Sequence, residues 1–289
     1  LAGILGGTYF FLSVVKQTAI DNQLLVNANL ARAFQSYVAH LLQDVDSNLL
    51  LVKSTYERTG DAGEGLNGIA QHDKFQQAVL SDKMVVINEN RKVAGAVNFS
   101  SPKLGIGLED SFLFHQTAPD TAIYLSKPVM DEQSGAWELY LSRRLSHPDG
   151  SFAGIVACNV RIIYFTHFFR LMNLDEKYVV SLTGMDGVIR VRAENEQADA
   201  SGFAVRATPL IDKARTKPEG SWYGISYYDG KPRLFSYRSI PEYSLLVLVG
   251  ATEQGTLGEY YRHVRYYTGC ALLGSLMLIG SFCALWRMI

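Results

Sequence analysis

Histidine, cysteine and carboxylate side chains could bind metal or carry catalysis, and in this chain they are scattered. The six histidines, at 40, 72, 115, 147, 167 and 263, fall at no metal-ligand spacing. The three cysteines, Cys158, Cys270 and Cys283, form no CxxC pair, and two of them lie in one apolar run, so no structural disulfide is expected. There is no GxxxxGKS/T, GxSxG, HExxH or GxGxxG string. The sequence predicts no catalytic residue, metal or cofactor for this segment. Asn98-Phe99-Ser100 fits a glycosylation acceptor, but a three-residue match carries little information. The net charge of −1 supplies no basic stripe for nucleic acid. Non-covalent binding is the chemistry left.

The elements that would position a binding site are legible. Between Thr8 and Thr59 there is neither Gly nor Pro, which allows one helix roughly 78 Å long. Inside it Val38, Leu42, Val45, Leu49, Val52 and Tyr56 step by fours and threes, a heptad seam with Leu41 and Leu50 beside it. Two readings are open, and both can hold: the seam packs on the chain's own domain, or its upper part does so while Leu24, Ala28 and Ala31, nearer the start of the chain, pair with a second subunit. The run TGDAGEGLNG ends the helix. Short strands follow at 83–88, 93–99, 123–130, 137–145 and 151–160, the last two joined by a His-Pro-Asp-Gly turn. Residues 162–174 read as a helical connector. A second set of strands follows: a hairpin over 178–192 around Met-Asp-Gly, then 221–228, 232–237 and 245–250. The fold class is therefore α+β: a long helix, then two small modules with antiparallel sheets, alike in order but not in identity.

Two uncharged stretches bracket this middle. Residues 1–15 read as the end of a transmembrane helix. Tyr266 to Trp286 carries no charge and spans roughly 30 Å, the thickness of a bilayer core. The expected segments are 1–15, a signalling and dimerisation helix 16–60, a distal module 61–160, a proximal module 161–252, a connector 253–265 and a second span 266–287. Lys16, Arg262, His263 and Arg265 flank the spans on the domain side, and Arg287 lies beyond. Long translocated domains escape the positive-inside rule, so these charges do not orient the chain.

Four segments resemble double-Cache sensor domains, which are tandem PAS-like modules of bacterial transmembrane signalling proteins. They are SRRLSHPDGSFAGIVACNVRIIYFTHFF, VSLTGMDGVIRVRA, KPRLFSYRSIPEYSLLVLVGATEQ and, more loosely, DSFLFH at 110–115. The resemblance covers nearly the whole chain. It implies an extracytoplasmic sensor, residues 16–265, anchored in the bacterial inner membrane and contacting lipid. Such a sensor forms a homodimer through the first helix and passes a signal through the second span to a cytoplasmic output. The style is closest to sensors of GGDEF diguanylate cyclases, which make cyclic di-GMP; histidine kinases and chemoreceptors carry the same sensor.

The resemblance also places a small-molecule pocket in the distal module. Its amino-acid-binding branch uses an Arg to clamp the ligand carboxylate and an Asp for the ammonium. The matching positions here hold Ser111, Leu113, Phe114, Val129 and Asn159, so both charges are missing. The candidate ligand-binding residues are Phe114, His115, Tyr124, Lys127, Trp137, Tyr140 and Asn159, with Arg143 nearby. Strand alternation puts Trp137, Leu139 and Leu141 on one face and Glu138, Tyr140 and Ser142 on the other. If Lys127 or Arg143 turns inward, the ligand is an anion. Arg190, Arg192, Trp222 and Tyr237 could line a smaller cavity in the proximal module. The alternative is a ligand-free interaction module whose pocket is filled by Phe112, Phe114 or Trp137.

Overall fold

The computed structural model describes residues 2–70, 83–99, 106–131, 135–194, 197–199 and 209–288. Helix α1, Ala2–Thr59, runs unbroken for 58 residues. Gly60 stops it: at φ 71° its N–H bonds back to the Tyr56 carbonyl at 2.7 Å, a left-handed closure that glycine adopts without strain. The chain then forms α2, Ala62–Ala70, within the run expected only to end the first helix.

The distal sheet contains β1 (Met84–Asn88), β2 (Val93–Val97), β3 (Ile123–Leu125), β4 (Val129–Met130), β5 (Trp137–Ser146) and β6 (Phe152–Arg161). Its order is β2-β1-β6-β5-β3, with β4 also beside β5, and every pairing is antiparallel. The strand expected over 123–130 is interrupted at Ser126–Pro128. Helix α3, Ile106–Thr117, lies on one sheet face and is an element the sequence did not announce.

After α4 (Ile163–Leu171) comes the proximal sheet: β7 (Tyr178–Gly184), β8 (Ile189–Glu194), β9 (Gln197–Asp199), β10 (Glu219–Ile225), β11 (Pro232–Ile240) and β12 (Leu245–Thr252). Helix α5, Pro209–Thr216, precedes β10, and a 3-10 turn, Pro241–Tyr243, links β11 to β12. The order is β10-β11-β12-β7-β8-β9. Setting β4 and β9 aside, both sheets run second-first-fifth-fourth-third, so the repetition seen in the sequence is one of topology.

Helix α1 packs along both sheets, and one continuous apolar core joins them. The heptad residues Val38, Leu42, Val45, Leu49 and Val52 are all within 2% of full burial against the chain's own modules. Ala31 is fully buried there too, while Leu24 and Ala28 are half-buried. The expectation that Leu24, Ala28 and Ala31 face a second subunit is therefore corrected for Ala31. Asn27, fully buried, donates to the Leu234 carbonyl at 2.7 Å and fixes the register of helix on sheet.

Helix α6, Glu253–Met288, is one uninterrupted helix, so the expected connector and second span form a single rod. Among the described residues it alone is long and apolar enough to cross a membrane. The start of α1 lies against it, with the Phe11 and Tyr267 rings edge to face at 5.5 Å.

Candidate functional site

The two faces of β5 have different neighbours. Leu139 and Leu141 face α1 and the main core; Glu138, Tyr140 and Ser142 face α3. Asn159 on β6 stands opposite Tyr140 in register, so their side chains share a face. Asn159 is tied down on both sides. Its Oδ1 accepts from the Lys83 backbone N–H at 2.9 Å, and its Nδ2 donates to Glu138 Oε1 at 3.1 Å. The Tyr140 hydroxyl donates to Glu138 Oε2 at 3.3 Å. Lys83 Nζ completes the cluster, 3.1 Å from Glu138 and 3.0 Å from Asp131.

Glu138 is only 3% exposed. A buried carboxylate is costly unless paired and hydrogen-bonded, and here three donors surround it. Burial alone would lower the Lys83 pKa, but the hydrogen bonds to Asp131 and Glu138 outweigh it and raise the value above the ordinary lysine range. With all three ionised, the trio carries one net negative charge. The N-terminal turn of α3 closes in beside it: a side chain at Gly107 would press on Val129 and Tyr140 at 3.1–3.2 Å.

No family model matches the chain, and no curated protein matches it either. Solved structures do. The extracellular domain assigned to the histidine kinase rpHK1S-Z16 aligns at TM-score 0.69 and 22% identity, over 83% of this chain and 98% of that one. The periplasmic sensory domain of the Campylobacter jejuni chemoreceptor Tlp1 aligns at 0.62 and 11% identity, over 83% and 98%. The ligand-binding domain of the Pseudomonas aeruginosa PAO1 chemoreceptor PctB, solved with L-Arg, aligns at 0.58 and 13%, over 78% and 94%. This is the fold of extracellular sensory domains.

Within this fold the seven sequence candidates fall into four places. Tyr140 and Asn159 belong to the polar cluster. His115 lies in the last turn of α3, fully buried, with Nε2–H donating to the Ser142 carbonyl at 3.1 Å. Burial, helped by the field of Arg143, Arg144 and Lys53, lowers its pKa to about 4, so it is a neutral pin between α3 and β5. Phe114, Tyr124 and Lys127 gather at the β3 edge: Phe114 stacks on Tyr124 at 4.7 Å, and Lys127 pairs with Asp110 at 3.2 Å. Trp137 is on the opposite face, packed against the main core. That separation from Tyr140 and Asn159 is the one expected from strand alternation along β5.

The condition for an anionic ligand is not met. Lys127 is exposed and paired, and Arg143 forks onto Asp46 of α1, with Nη2 to Oδ2 at 2.9 Å. The missing charges reappear at residues not singled out from the sequence: Glu138, Lys83 and Asp131. Glu138 was legible as the alternation partner of Tyr140. The contact with Lys83 spans 55 residues and left no local signal.

The proximal candidates are held in separate sets of contacts. Arg190 forks onto Asp186 at 2.9 and 3.1 Å and reaches the Leu125 carbonyl of the distal module at 3.5 Å. Arg192 joins a ring of four charges with Glu194, Arg233 and Asp229. Trp222 stacks on Phe235 at 4.9 Å and, with Tyr237, packs near Ile211 and Ala214 of α5.

Proposed function

We propose that this chain is the extracytoplasmic sensor region of a bacterial inner-membrane receptor, and that its distal module binds a small molecule with a cationic group. The observation that carries this reading is the buried cluster of Glu138, Lys83, Asp131, Tyr140 and Asn159, on the sheet face away from α1. A net negative, largely desolvated wall favours a cation. The named neighbours are sensory domains of a histidine kinase and of chemoreceptors, and PctB is named with amino acids bound. The absence of a matching arginine clamp supports an amine without an α-carboxylate here. The domain itself performs no catalytic step in this reading.

Strand β5 supplies the mechanical link. One face carries Glu138 and Tyr140; the other packs on α1 and is fastened to it by Arg143–Asp46. Lys53 of α1 adds a second fastening, to Asp120 at 2.8 Å and to the Arg144 carbonyl at 2.8 Å. A ligand that prefers one position of β5 shifts α1, and α1 lies against α6. Pairing of α1 with a second copy and delivery to a cytoplasmic output complete the proposal. The segment resemblance favours a diguanylate cyclase as that output; the neighbours favour a histidine kinase or chemoreceptor.

In a thermal-shift screen with small amines and matched carboxylates, amines are expected to stabilise the protein and carboxylates to leave it unchanged. Glu138→Gln is expected to weaken the amine effect by roughly tenfold or more in affinity, the scale of a hydrogen bond to a charged group. An unchanged response in Glu138→Gln, with circular dichroism confirming the fold, sinks the assignment.

A further inference from the structure

A cleft of about 690 Å³ opens where the two modules meet against α1. It lies on the α1 side of the sheets, opposite the α3 face of β5. Gln35, Ser36, Ala39, His40, Gln43 and Asp46 of α1 form its floor; Thr121, Ile123 and Arg143 come from the distal module, and Ile240, Glu242 and Tyr243 from the proximal one. That volume is in the range of small-molecule sites. Its charges are unequal: Arg143 is neutralised by Asp46, which leaves the exposed Glu242 carboxylate, without an ion pair among the described residues. His40 Nδ1–H donates to the Ser36 carbonyl at 2.7 Å. Burial, with Asp46 beside it, pushes the Tyr243 hydroxyl up to about 12, so it stays a donor. Ala39, Ile123 and Ile240 supply an apolar strip between these groups.

We infer that the cleft is a second ligand site, separate from the distal cluster, for an organic cation whose ammonium meets Glu242 and whose short hydrocarbon body lies on Ala39, Ile123 and Ile240. An occupant there touches α1 and both modules at once. It therefore acts on the angle between the modules rather than on β5.

The test uses the full chain carrying Glu138→Gln, which weakens the distal site, in lipid nanodiscs, with phenethylamine as probe and phenylacetate as its anionic counterpart, read by ligand-observed NMR. Phenethylamine is expected to bind and phenylacetate to bind at least fivefold more weakly. Glu242→Gln is expected to cost roughly fivefold, the upper range for an exposed charge pair. Ile123→Trp, which fills the apolar strip, is expected to remove the Glu242-dependent part of the binding while the thermal unfolding profile persists. The inference is overturned if phenethylamine shows no binding, if phenylacetate binds equally well, or if Glu242→Gln leaves affinity unchanged. It is also overturned if Ser36→Cys crosslinks two copies completely and the probe does not slow the reaction. In that case the cleft is an interface between copies.

Discussion

Gly154→Ala is expected to destabilise the distal module severely. Gly154 has φ +129°, a conformation side chains rarely adopt, and it sits at an irregularity where β6 slips register against β5. An added Cβ would lie 2.0 Å from the Ile87 carbonyl oxygen and 2.8 Å from the Asn88 Cα, both backbone atoms of β1. Neither can move without opening the β1–β6 ladder at the centre of the sheet. Backbone strain of about 1–3 kcal/mol and overpacking of about 1–3 kcal/mol add to roughly 4 kcal/mol. The melting temperature is expected to fall by about 10 °C or more. Gly150, four residues earlier in the turn that precedes β6, is the control. Its φ is +81° but its Cβ would meet open space, so Gly150→Ala costs only strain, about 1 kcal/mol. Equal melting points for the two variants would refute the backbone-clash argument.

That contrast also explains why the Asp-Gly-x-Phe-x-Gly hairpin was legible. Its first glycine makes a turn and its second permits a close approach of two central strands, so both leave a mark on the sequence. The strands were legible for a similar reason: alternation along β5 or β11 is a local signal. Helix α3 was not. Its buried face includes Ser111 and His115, while Leu113 and Phe114 are exposed, so its polar and apolar positions are partly inverted. Helix α5 is short and charged, and only Pro209 at its start hints at it. The site divided in the same way. Tyr140 and Asn159 could be placed by alternation and resemblance. Lys83 and Asp131 join Glu138 only after β1, β4 and β5 assemble, and a linear reading has no means of bringing them together.

Glu194→Ala is expected to be the most damaging change in the proximal module outside the glycines. Arg233 is fully buried, and its Nη2 donates to Glu194 at 2.9 Å and to Asp229 at 2.8 Å. Arg192 Nη2 bonds the same two carboxylates at 2.6 and 3.1 Å, and its guanidinium sits 4.2 Å from the Tyr228 ring centre. Removing Glu194 leaves two arginines to share one carboxylate in a desolvated site. The penalty is about 3 kcal/mol, and the melting temperature is expected to drop by roughly 6–12 °C. Pairing the change with Arg233→Met removes a buried charge as well, so the double variant is expected to lose less than the sum of the singles. Additive losses would show that the ring is not a coupled unit.

The pH dependence has a fixed sign. Burial raises the pKa of Glu194 and of Asp229, but hydrogen bonds to the arginines, and in Asp229 also one from Ser226, hold both below their ordinary values of 4.5 and 3.8. Their contribution to stability is complete above those ordinary values and is lost as pH falls through the lower folded ones. Glu194→Gln is therefore expected to flatten the acid side of the stability profile below about pH 4.5. The ring's position gives this a functional edge. Arg233 pairs in register with Thr252, the residue before α6 begins. Loosening the ring loosens the root of the helix that leaves the domain, while the distal cluster stays intact. Below its melting point, Glu194→Ala is expected to keep wild-type affinity for the distal amine and to lose the ligand-dependent change in α6, read by spin labels at Tyr267. Loss of distal affinity instead would place the ring in the binding step and not in transmission.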